Sequence, residues 1–66
     1  MATYDVTIFT PDGNGIPFAA GLPYWDAYHL AYARAYTETL PRVSVAIVDT
    51  ETGKRQFTFA TGGRAA

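Results

Sequence analysis

The chain has 66 residues, no cysteine, one histidine and a formal net charge of −1, close to the lower size limit for a domain that folds on its own packing. Without cysteine there is no disulfide or thiolate metal site, and a single histidine leaves no conventional structural zinc centre. Five basic residues scattered among six acidic ones make no basic stripe, which disfavours nucleic acid as a partner, and no apolar run nears the roughly 20 residues of a membrane span.

Stability must then come from packing, and 48% hydrophobic with 15% aromatic residues suffices for that. Small domains often add to a thin core by self-association, so a homodimer is a reasonable expectation. The N-terminal "MATYDVTIFT" lacks the positive region and apolar block of a signal peptide, which points to the cytoplasm.

In chain order, "TYDVTIFT" alternates as a half-buried strand, with Tyr4, Val6 and Ile8 inward and Phe9 an apolar exception on the outer face. "PDGNG", residues 11–15, is turn chemistry. "IPFAAG" reads as a short second strand with Ile16, Phe18 and Ala20 alternating. Its Pro17 lacks an amide donor and so assigns it to a sheet edge. Pro23 suits a first helical position and Asp26 complements the N-terminal dipole, so a helix is expected from Pro23 to about Thr39, before Pro41. "RVSVAIVD" is the most apolar strand, with Val43, Val45 and Ile47 inward and Ala46 and Val48 outward, a pattern for the middle of a sheet. "DTETGK" is a tight turn, and "RQFTFAT" is a last strand with Phe57 and Phe59 inward.

The expected fold is α+β, ββαββ: one helix on one face of a four-stranded, mainly antiparallel sheet of order 2-1-3-4. The alternative is 2-1-4-3, as in small β-grasp domains. Residues 1–61 would form the single domain and 62–66 a flexible C-terminal tail.

The helix carries four of the five tyrosines and the only tryptophan. At about 100° per residue, Trp25, His29, Tyr32 and Tyr36 fall on one stripe roughly 60° wide. Ala27, Ala31 and Ala35, with Tyr24 and Tyr28, form the adjoining stripe. One sheet covers one stripe, and the alanines permit close approach, so the alanine stripe is placed on the sheet and the aromatic stripe along the flank. Two readings of that flank stay open. Its rings are core lids with polar tips at the rim, or they are a protein-binding surface of the kind where Trp and Tyr dominate. The uncovered sheet face would present Phe9, Ala46, Val48 and Ala60, a candidate dimer face.

Catalytic chemistry finds little support, and no cofactor motif is present. Asp26 and His29 stand three apart on the helix, but no nucleophile is near them, so a surface pair is expected and the protein is read as non-enzymatic. "DGNG" lacks the later acidic ligands of a calcium loop, and "TGK" lacks the glycine spacing of a phosphate loop. In the β-grasp alternative, Gly62-Gly63 resembles the Gly-Gly end of ubiquitin-like sulfur-carrier and modifier proteins. Arg64-Ala65-Ala66 would then require removal, and the short "DTETGK" hairpin departs from that family's longer connection.

The leading functional expectation is a small interaction domain that binds another protein, or itself, through the helix flank or the open sheet face. Such a compact domain suits a phage-type accessory protein that modulates a host protein. The alternative is a nucleic-acid module that stacks bases on sheet-face aromatics, for which only Phe9 qualifies.

Overall fold

A computed structural model describes residues 2–66; Met1, part of the expected domain, lies outside the described residues. The elements are β1 (Tyr4–Phe9), β2 (Gly15–Leu22), α1 (Tyr24–Thr37), β3 (Ser44–Asp49) and β4 (Arg55–Ala60). All strand pairs are antiparallel and the order is β2-β1-β3-β4. This is the 2-1-3-4 sheet with one helix. In the 2-1-4-3 alternative β1 would pair with β4, whereas here it pairs with β2 and β3.

The core follows from alternation. Val6, Ile8, Val45, Ile47 and Phe59 project from the sheet onto Ala27, Ala31 and Ala35 of α1, with Val43 at one end. The three alanines bring the helix backbone close to the sheet, and Ala27 and Ala31 are 0% exposed. Tyr4, Tyr24, Tyr28 and Phe57 pack around this centre, half-buried. Among the described residues no buried polar side-chain atom lacks a partner, as a small core requires.

β2 is longer than its sequence pattern suggests, because it bulges against β1. Val6 pairs with Ala19 and Thr7 with Pro17, which leaves Phe18 as an extra residue, and a second shift lies between Tyr4 and Val6. The bulge breaks the alternation expected for Ile16, Phe18 and Ala20: Ala19 packs on the core, while Phe18 and Ala20 are exposed. Near the second shift Gly21 adopts φ 69, and its N–H donates to Asp5 Oδ1 at 3.0 Å. Only glycine takes that backbone conformation cheaply.

The helix stops at Thr37, two residues short of the expected limit. Glu38 turns extended and accepts the N–H groups of Thr39 and Leu40 on Oε1, while its Oε2 meets Arg34 at 3.0 Å. These contacts hold its carboxyl below the usual carboxylate range, with the Leu40 amide the chief cause. The third strand likewise starts at Ser44, because Arg42 has φ 62 and interrupts the extended backbone.

Residues 62–66, read from sequence as a flexible tail, double back along β4. Ala60 N–H donates to Arg64 O at 2.6 Å and Ala66 N–H to Thr58 O at 3.0 Å, with Phe59 bridged to Ala65. Gly62 N–H reaches Ala35 O at 2.9 Å, which ties the end of the helix to the end of the sheet.

Candidate functional site

The helix flank is built on the alanine contact. With Ala27, Ala31 and Ala35 on the sheet, the 100° step sends Trp25, His29, Tyr32 and Tyr36 to one side of the helix, and all four are exposed. Trp25 and Tyr36 are each 65% exposed and Tyr32 is 43% exposed. Well over half of Trp25 and Tyr36 and somewhat under half of Tyr32 therefore meets water.

The rings form a connected series that leans over β4. Tyr24 touches Tyr4 and Trp25 edge to face, at 5.2 and 5.1 Å between centroids. Tyr28 meets Trp25 at 5.4 Å and reaches down to Phe57 and Phe59 at 5.8 and 5.2 Å. Tyr32 stands on Phe59 at 5.7 Å and stacks against Tyr36 at 6.0 Å. Edge-to-face contacts of this kind contribute about 0.5–1.5 kcal/mol each beyond area burial and favour these ring directions. His29 sits at the rim, its ring edge-on to Tyr28 at 6.1 Å.

Two supporting residues carry no local signal. Phe59 reads in sequence as an ordinary core position, yet it is the base on which Tyr28 and Tyr32 rest. Gly63 lies beneath the far end of the flank. A methyl added to it would stand 3.0 Å from Tyr32 Cε1 and 3.4 Å from Tyr36 Cβ.

The open sheet face is less apolar in practice than its residue types imply. A bulge in β4 pairs Ile47 with Phe57 but Val48 with Arg55, so Gln56 is the extra residue and Arg55 turns outward with Val48. Its guanidinium lies over the Phe9 ring, 3.9 Å from the centroid. Phe9 and Arg55 flank β3, so their contact passes over it. Ala46 of β3 is 0% exposed although it points away from the helix. Phe9, Val48 and Ala60 are half-buried. Of the four residues expected on a dimer face, Ala46 therefore offers no surface, and Phe9 already holds a cation against its ring.

The remaining sequence candidates are local devices. The Asp12 carboxylate accepts from the Thr10 hydroxyl, from the Asn14 backbone N–H at 3.3 Å and from Asn14 Nδ2 at 3.0 Å. The Thr10 contact is the main reason its carboxyl lies below the usual value. Asp26 and His29 form no ion pair, and no group of three or more His, Asp or Glu side chains could hold a metal ion, among the described residues. Gly62 and Gly63 have φ 85 and 83 in a closed turn, and the β1–β4 pairing on which the ubiquitin-like comparison rested does not occur. No described helix is long and apolar enough to cross a membrane. Comparison with known proteins finds no matching family model, no similar curated protein and no similar solved structure.

Proposed function

We propose that the protein is a small, non-enzymatic interaction domain whose aromatic helix flank docks onto another protein in the cytoplasm. The observation that carries this reading is the exposure of Trp25, Tyr32 and Tyr36 on a stripe anchored from below by Tyr28 and Phe59. A few residues carry most of the energy at protein interfaces, tryptophan and tyrosine are enriched among them, and ordering them before the partner arrives lowers the cost of binding. A partner then gains the burial of three rings with little further ordering cost. Modulation of a host protein by a phage-type accessory protein is one setting that needs only such a surface. The open sheet face supports self-association less well, since the Arg55–Phe9 contact and the closed Ala46 leave a smaller apolar area. The same contact weighs against base stacking, because the one outward ring is already covered.

Site-specific photocrosslinking tests the proposal. A benzophenone side chain at Tyr36 should yield one dominant adduct in lysate of the native host, and the same group at exposed Glu51 should not. Identical adduct patterns at the two positions would remove the special role of the flank.

A further inference from the structure

At the end of the sheet opposite the Asp49–Lys54 turn, the 39–44 segment and the turn after β4 enclose a shallow depression of about 390 Å³. Two of the chain's five basic residues, Arg42 and Arg64, line it, together with the hydroxyl-bearing Thr39 and Ser44. No Asp or Glu lines it, and neither arginine has an ion-pair partner among the described residues. Arg34, by contrast, is paired with Glu38, and Arg55 lies over Phe9.

The two segments that carry the arginines are joined by contacts to backbone carbonyls. Thr61 Oγ1 lies within hydrogen-bonding distance of Leu40 O at 2.7 Å and Val43 O at 3.2 Å, joining the two segments. Arg64 O accepts from Ala60 N–H, which closes the turn that carries it. Arg42 sits in the left-handed region at φ 62, a conformation an ordinary residue adopts only at a cost. Arg42 on a left-handed backbone and Arg64 on a closed turn line one depression with no Asp or Glu in its wall, an arrangement suited to an anion.

We propose that this depression binds a phosphoryl group, as free phosphate or as a small phosphate monoester. Two guanidiniums match the double charge of a phosphate, whereas a single carboxylate would leave one of them unbalanced. The volume lies at the low end of small-molecule sites, and buried Val43 with half-buried Ala60 gives an apolar wall on which an ester substituent can rest. The site is independent of the helix flank.

The test is an NMR titration of the full chain with inorganic phosphate and with phenyl phosphate at pH 7.5, against chloride of equal ionic strength. Saturable shifts are expected at the amides of Ser44, Thr61 and Arg64. Arg64→Gln and Arg42→Gly should each weaken binding about tenfold or more. Arg42→Gly relieves the left-handed backbone, and its Tm, measured alongside, separates lost binding from lost folding. The second pKa of a phosphate monoester is about 6, so at pH 5 the dianion is scarce and affinity should fall about tenfold. Glu38, four residues before Arg42, is held below its usual range by the Leu40 and Thr39 amides and by Arg34, and the C-terminal carboxylate of Ala66 stands two residues after Arg64. Tighter binding of phenyl phosphate assigns the site to a monoester, and equal binding assigns it to phosphate itself. Shifts that fail to saturate, persist in both variants, or are unchanged at pH 5 overturn the proposal.

Discussion

Gly63→Ala probes the unexpected contact between the C-terminal turn and the aromatic flank. Gly63 has φ 83, where an L-residue is penalised by about 1–2 kcal/mol relative to glycine. The new methyl would also stand 3.0 Å from Tyr32 Cε1 and 3.5 Å from Tyr32 Cδ1. That ring is 43% exposed and can swing outward, so the steric cost sits near the low end of overpacking, about 1 kcal/mol. Lower unfolded-state entropy returns about 0.5–1 kcal/mol. The net loss is about 1–2 kcal/mol, or a fall in Tm of about 4–15 °C for a domain of this size. Gly62→Ala is the control, because its φ is 85 but nothing lies within 4 Å of the added methyl. It bears the backbone cost alone and should lose about 0.5–1 kcal/mol. Thermal unfolding followed by near-ultraviolet circular dichroism measures both. If neither variant loses stability, residues 62–66 are not folded against Tyr32 in solution, and the account of that end of the flank fails.

Other expectations follow from the same packing. Ala31→Leu should overfill the helix–sheet contact and destabilise by about 1–3 kcal/mol, while Ala33→Leu, on an exposed position, should be nearly neutral; chemical denaturation compares them. Arg42→Gly should stabilise by about 0.5–1 kcal/mol, since glycine occupies φ 62 without the side-chain clash, and a lowered Tm would refute the strained turn. Asp12 and Glu38 have carboxyls depressed from 3.8 and 4.5. Their stabilisation is therefore present above those values and is lost as pH falls through the lowered folded values. Thr10→Val should return the Asp12 titration, read by carboxyl chemical shift, toward 3.8.

The parts of the fold that were legible in the sequence are those set by local pattern. Pro17 marks an edge strand, the two-sided apolar run 45–48 marks a central one, and together they give the order β2-β1-β3-β4. The alanine spacing on α1 fixes which stripe meets the sheet, because only small side chains allow that approach. What escaped depends on partners distant in sequence. Gly21 needs the Asp5 carboxylate across the hairpin, and Gly62 needs the carbonyl of Ala35. Arg55 faces Phe9 only because a bulge at Gln56 reverses its side, and a strict period of two assigns it to the helix face. The helix ends at Thr37, two residues before the limit that the pattern sets, because Glu38 turns extended and accepts the following amides on its own side chain.

Whether the flank binds is decided by measuring affinity and stability on the same variants, with the crosslinked partner in purified form. Trp25 and Tyr36, each 65% exposed, lie outside the core, so Tyr36→Ala should leave folding within about 1 kcal/mol of the parent, and Trp25→Ala, which also loses its edge contacts with Tyr24 and Tyr28, within about 2 kcal/mol. Each should weaken partner binding by about 2 kcal/mol or more, a loss of about thirtyfold in Kd. Stability losses of about 3–5 kcal/mol, with affinity falling only as the folded fraction falls, would instead make these rings part of the core and contradict the account.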